Sequence, residues 1–279
     1  MTAGSATPRL SSRTPTVLIT GASSGIGREL ARFFARDGFA LVLVSRSAER
    51  LAPVVGELRD AYGASVTTIP ADLGKPGEIE RLLSTLAASD IRVDVLVNNA
   101  GFGGAGRFAE TALDRERDMI ALNVEAVVTL TKRLLPAMLE NRRGRILNVA
   151  STAAFQPGPF QAVYFATKAF VLSFSEAIAE DLRDTGVTVT TLCPGPTETG
   201  FAARAGFRSS PMMGARMDAR SVAEVAYTAT LRGERMVVPG VVNKVHAQAV
   251  RLTPRRLLAR LAGAAQHRRL GGEDEEAAG

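Results

Sequence analysis

Seven short runs of β-branched and aliphatic residues alternate with longer segments of helical spacing, and this alternation restricts the fold more than any other feature of the chain. The runs are TVLIT (16–20), ALVLVS (40–45), SVTTIPADL (65–73), VDVLVNNAG (93–101), RILNVAS (145–151), VTVTTLCPG (187–195) and RMVVPG (235–240). Between them lie segments such as GRELARFFARDG, in which Leu30, Phe33 and Phe34 recur at helical intervals. Strands that are apolar throughout must be covered on both faces, and strand–helix–strand order covers them through right-handed crossovers between parallel strands. The expectation is a single-domain, doubly wound α/β fold of about seven parallel strands with helices on both faces.

In such a sheet, ligands bind at the carboxyl ends of the strands. The first run closes in TGASSGIG (20–27), where Gly21, Gly25 and Gly27 allow a tight turn and close approach of backbone to a phosphate at a helix N-terminus. This makes the fold Rossmann-like. A dinucleotide site for NAD expects an acid after the second strand, but Ser45 and Arg46 stand there. A guanidinium suits a 2′-phosphate through forked, charge-assisted hydrogen bonds, so NADP(H) is expected rather than NAD(H). Arg46 could otherwise simply open the next helix at the surface. Asp72 and Leu73, closing the third run, could flank an adenine. Asn99, Ala100 and Gly101 of NNAG (98–101) leave room for a cofactor against the sheet.

A phenol and an ammonium stand four residues apart in VYFATKAF (163–170), within an otherwise apolar segment. On a helix, Tyr164 and Lys168 therefore share a face. A lysine running its stem to solvent beside an ordinary packed tyrosine would give the same pattern. Ser151, at the end of the fifth run, lies thirteen residues before Tyr164, and the intervening loop can fold back over the strand end. Hydroxyl, phenol and ammonium then converge. No histidine or carboxylate accompanies Ser151 as a hydrolase would need, so hydride transfer is the expected reaction class.

Together these residues resemble the short-chain dehydrogenase/reductase family over roughly residues 16–239. The motifs stand in family order: Gly21, Gly25 and Gly27, then Asp72, NNAG, Asn123, Ser151, and Tyr164 with Lys168. PGPTETGF (194–201) resembles the loop beside the nicotinamide. The resemblance implies that Ser23, Ser24 and Ile26 join the three glycines in holding the cofactor. It implies the same of Arg46, Asp72, Leu73, Asn99, Ala100, Gly101, Tyr164, Lys168, Pro194, Gly195 and Thr197. Tyr164 would be the acid–base, with Lys168 lowering its pKa from near 10, and Ser151 would bind the substrate oxygen. Asn123 would hold a water linking Lys168 to solvent, or satisfy backbone at a helix kink, or both. Homodimers or homotetramers are also implied.

The rest of the chain narrows the setting. Two histidines, His246 and His267, and a single cysteine, Cys193, leave no cluster at metal-ligand spacing and no internal disulfide, so no metal and a cytoplasmic location are expected. No apolar run is expected to span a membrane. The net charge of +6 collects between Arg235 and Arg269, which contain no acid, before EDEE (273–276) reverses the sign. Without interleaved aromatics this argues against a nucleic-acid partner. The expected organisation is a disordered tail over 1–15, the catalytic domain over 16–240, a basic helical extension over 241–270 and an acidic disordered tail over 271–279. The extension could lie on an anionic membrane surface or cover a subunit boundary. Phe201, Phe207, Met212, Met213 and Met217 make 201–218 an adaptable apolar segment, suiting an apolar ketone, 3-oxoacyl or steroid-like substrate. The alternative is a catalytically silent dinucleotide-binding sensor or adaptor, although a sensor has no need for the acid–base pair.

Overall fold

The computed structural model describes residues 13–200 and 216–270. Residues 1–12 of the expected tail over 1–15, the acidic end over 271–279 and residues 201–215, with Phe201, Phe207, Met212 and Met213, lie outside that range. Arg13, which the expected tail included, is held: its guanidinium donates to both carboxylate oxygens of Asp94 at 2.9 Å.

Strands β1 (Thr16–Thr20), β2 (Ala40–Ser45), β3 (Val66–Pro70), β4 (Val95–Asn98), β5 (Gly144–Val149) and β6 (Val187–Leu192) join a two-residue β9 (Met236–Val237) in one parallel sheet. Its order is β3-β2-β1-β4-β5-β6-β9, so the winding reverses between β1 and β4. The apolar runs at 65–73, 93–101 and 187–195 overshoot their strands by several residues. Their closing residues form the turns at the carboxyl edge. A short parallel pair, β7 (Thr197–Glu198) with β8 (Met217–Asp218), carries no periodic signal and was not expected.

The helices are α1 (Gly25–Arg36), α2 (Ala48–Tyr62), α3 (Glu78–Ala88), α4 (Leu113–Ile120), α5 (Ala126–Glu140), α6 (Ala162–Asp181), α7 (Ala219–Arg232), α8 (Val241–Leu252) and α9 (Arg255–Leu270). On one face of the sheet, Leu30, Phe33 and Phe34 of α1 pack with Leu58 of α2 and with Val222, Ala226 and Tyr227 of α7. On the other face, Leu82 and Leu86 of α3 meet Leu130 and Met138 of α5. Local signals set the helix ends. Ser47 accepts a hydrogen bond from Arg50 N at the start of α2, Asp218 accepts one from Ser221 N at the start of α7, and α7 ends at Gly233 in a left-handed conformation.

Between α4 and α5, residues Ala121–Glu125 form a π-helical turn. Contrary to the expectation that no segment reaches spanning length, α6 is long and apolar enough to cross a membrane by length and composition. One side of it packs along β5 and β6 and against α4.

Candidate active site

A cavity of about 750 Å³ opens at the carboxyl edge of the sheet, across the point where the winding reverses. Of the expected site residues, all but Gly27 and Asn123 line it. Those two stand directly behind its wall.

At one end lies the turn between β1 and α1. Ser24 has an extended backbone at the N-cap of α1 and makes no capping bond with its side chain, so the first N–H groups of the helix face the cavity uncapped by it. Gly25 is left-handed (φ +56°), and a Cβ there would lie 2.7 Å from Cβ of Thr199. Gly27 has no such φ; its need is space, since a Cβ would sit 2.5 Å from both Asn99 Nδ2 and Gly21 O. Asn99 donates through Nδ2 to Thr20 O (2.9 Å) and Gly21 O (3.2 Å). Its side chain thus shapes the turn as well as lining the cavity. Thr20 Oγ1 accepts from Asn99 N and Ala100 N at 3.0 and 2.9 Å, tying β4 to the same turn.

Arg46 is exposed at the end of β2, with Arg50 one helical turn further on along the same wall. Asp72 accepts from Gly74 N at 3.3 Å, and Leu73 is buried beside it. Glycines that admit backbone to a phosphate, an open helix N-terminus and cations rather than a carboxylate after β2 fit a dinucleotide carrying a 2′-phosphate.

Ser151, Tyr164 and Lys168 stand at the far end. Ser151 Oγ donates to Pro194 O at 3.5 Å, accepts from Ala153 N at 3.1 Å, and is hydrogen-bonded to Tyr164. Burial pushes the Tyr164 phenol up to about 12, with the Ser151 hydrogen bond acting in the opposite sense. This corrects the expectation that Lys168 lowers it. Lys168 Nζ sits 6.0 Å from the Tyr164 ring centroid and donates to Val149 O at 2.8 Å. Loss of water around the phenol outweighs the Ser151 hydrogen bond. Lys168 is only 5% exposed, and burial pushes it down to about 8, with nearby Cys193 acting in the opposite sense.

Asn123 sits in the π-helical turn. Its Oδ1 accepts from Phe102 N at 3.1 Å, while Nδ2 donates to Phe102 O at 2.9 Å and Thr167 Oγ1 at 3.1 Å. Of its two expected roles, satisfying backbone is the one these bonds perform, although the backbone belongs to the loop after β4 rather than to a kinked helix. A Cβ at Gly101 would lie 2.9 Å from Asn123 Oδ1 and 3.5 Å from Lys168 Nζ, so NNAG ends in glycine for room.

The cavity also draws on residues the sequence reading missed: Arg50, Lys75, Gln156, Gln161, Thr199 and Arg216. Arg50 was findable, four residues after Arg46 on a helix. Gln161, buried just before α6, carries no local signal that would distinguish it from a surface glutamine. Among the described residues no cluster of His, Cys, Asp or Glu could hold a metal ion.

Comparison with known proteins places these features. A family model described as short chain dehydrogenase matches residues 15–208. The chain is 39% identical over 176 residues to a very-long-chain 3-oxoacyl-CoA reductase of Laccaria bicolor, covering 62% of this chain and 52% of that protein. It is 38% identical over 180 residues to an NADP-dependent 3-hydroxy acid dehydrogenase of Salmonella typhi, covering 64% of this chain and 71% of that one. Among solved structures, a short-chain dehydrogenase from Sphingobium yanoikuyae in complex with NADPH matches with TM-score 0.77 and 34% identity, over 85% of this chain and 92% of that one.

Proposed function

The chain belongs to the short-chain dehydrogenase family of oxidoreductases, and from that premise we propose that it uses NADP(H) to interconvert an apolar ketone, of the 3-oxoacyl class, with its alcohol. The observation that carries this reading is the convergence of Ser151, Tyr164 and Lys168 on one cavity with the glycine turn and Arg46. Two relatives whose names place their chemistry at C3, one of a very-long-chain 3-oxoacyl-CoA and one of a 3-hydroxy acid, favour the substrate class. Phe102, Leu122 and Phe165 give the cavity apolar wall for such a chain.

A bound nicotinamide would supply or accept the hydride. The glycine turn and the N-terminus of α1 would hold its diphosphate, Arg46 the 2′-phosphate, and Lys168 its ribose. Tyr164, pushed up to about 12, keeps its proton at neutral pH and is set to deliver it to the carbonyl oxygen during reduction. Ser151 already shares a hydrogen bond with Tyr164, so an oxygen held by both receives two donors where negative charge develops. In oxidation the phenolate would accept the hydroxyl proton, and the Ser151 hydrogen bond, which lowers the phenol's pKa, favours that form. Asn123 fixes the loop of Phe102 to α6 and so keeps Lys168 and Gly101 in register.

The test is parallel titration with NADPH and NADH, followed by a panel of apolar ketones and 3-oxoacyl thioesters read at the reduced-nicotinamide absorbance. Tight NADPH binding with turnover is expected, as is a Tyr164→Phe variant that binds NADPH unchanged and loses at least about 100-fold in kcat. A variant with full turnover would remove Tyr164 from the chemistry.

A further inference from the structure

Outside the cavity, the surface with the least ordinary chemistry is formed by the last two helices. In α8, at 100° per residue, Ala247 and Val250 fall on one side and are buried. The opposite side carries Val241, Val242, Val245 and Leu252, which are 76, 82, 63 and 88% exposed among the described residues. The apolar stripe of an amphipathic helix ordinarily turns inward. Here it turns out. In α9, Leu258 is buried, while Leu257 and Leu261, one turn apart, are 47 and 58% exposed beside the exposed Arg256 and Arg260.

The charge is equally one-sided. Between Arg235 and Arg269 the sequence holds eight lysines and arginines and no acid. Lys244 is exposed on the flank of the α8 stripe. Those residues also contain no Phe, Tyr or Trp, the anchors that fill pockets on a protein partner. Aliphatic side chains among cations, spread along two consecutive helices, suit a broad anionic surface that needs no pocket: the headgroup layer of a bilayer.

Placement ties this surface to the site. α8 packs against the 3₁₀ turn Thr152–Phe155 that follows Ser151, and Gly263 of α9 has Pro159 of the same loop within 3.6 Å of its Cβ position. We propose that the outward faces of α8 and α9 dock the protein on an anionic lipid bilayer, holding the loop that leads from Ser151 to Tyr164 about one helix diameter from the phase in which an apolar substrate concentrates. The substrate part rests on the reaction proposed above; the docking does not.

The full chain should therefore sediment with vesicles of phosphatidylglycerol and phosphatidylcholine but not with phosphatidylcholine alone, and be released by salt at about 0.5 M, where charges are screened within a few ångströms. A Val245→Asp/Leu252→Asp variant should bind anionic vesicles at least about tenfold more weakly, because it places carboxylates in the apolar stripe. Both side chains are largely exposed, so its thermal midpoint and NADPH titration should match the native protein. Failure to sediment with anionic vesicles, or equal sedimentation of the variant, overturns the docking. So does a fall in native mass by light scattering in the variant, which would assign the face to a second copy of the chain. NADPH binding and ketone turnover, measured without lipid, report on the reaction separately.

Discussion

Lys168 is a cation enclosed where the fold would be more stable without its charge. Burial lowers it from an ordinary 10.5 to about 8, a drop corresponding to about 3 kcal/mol of destabilisation at neutral pH. As pH rises through 8 the native chain releases this proton while the unfolded chain keeps it until about 10.5, so the native state gains stability across that window. Tyr164 acts in the opposite sense only above 10, where the unfolded phenol ionises while the native one holds its proton to about 12. Between pH 8 and 10 the lysine's contribution therefore stands clear of the tyrosine's. Lys168→Met should be inactive. Denaturant titrations at several pH values should show the native protein gaining on the variant from pH 8 to 10, and parallel pH profiles would contradict the enclosure of the charge. The pairing of Tyr164 with Lys168 was legible because helical spacing places positions i and i+4 together. The direction of the tyrosine's shift was not. It depends on how much water the assembled walls exclude, and no local pattern reports that.

At the scale of elements, the chain shows which glycines are there for space. Gly27 lies on α1 with ordinary helical geometry, yet a Cβ would meet Asn99 Nδ2 and Gly21 O at 2.5 Å. Gly56 lies inside α2 with nothing within 4 Å of its Cβ position. Gly56→Ala should therefore stabilise the protein by about 0.5–1 kcal/mol through helix propensity alone. Gly27→Ala should cost about 1–3 kcal/mol through overpacking and should weaken NADPH binding by spreading the turn. Thermal melts with and without NADPH separate the two, and a Gly27→Ala protein with native cofactor response would show that the turn tolerates the methyl group. The same division explains what the sequence conveyed about elements. β1 and β2 could be bounded to the residue because Gly21 and Ser45 end their apolar runs sharply. The runs at 93–101 and 187–195 continue in small or apolar residues past their strands, so composition hid the point where pairing stops. The π-helical turn at Asn123 coincides with side-chain bonds to Phe102, 21 residues away, a contact invisible to any local window.

At the scale of the molecule, the parallel sheet and its carboxyl edge followed from the order of apolar runs, and the predicted stations fall along one cavity. The outward face of α8 did not follow, because periodicity shows that a helix has an apolar side without showing which side the core takes. Charge, too, has to be located before it means anything. The net +6 of the chain gathers in residues 235–269, whereas the cations that bear on cofactor choice are few: Arg46 and Arg50 at the end of β2, with Lys75 already paired to Asp118 at 2.9 Å. Arg46 stands where an acid would select NAD, so reversing its sign tests that assignment directly. Arg46→Asp should weaken NADPH binding by about 10–100-fold, the loss of one charge-assisted contact together with repulsion of the 2′-phosphate. It should leave NADH binding equal or tighter, because a carboxylate there can accept from the ribose hydroxyls. Arg50 remains one turn away, so NADPH affinity should fall rather than vanish and should stay sensitive to salt. Titration of both nucleotides at two ionic strengths reads all of this at once. A variant that binds NADPH as the native chain does would place the 2′-phosphate on Arg50 instead, and Arg50→Asp would then carry the switch in preference.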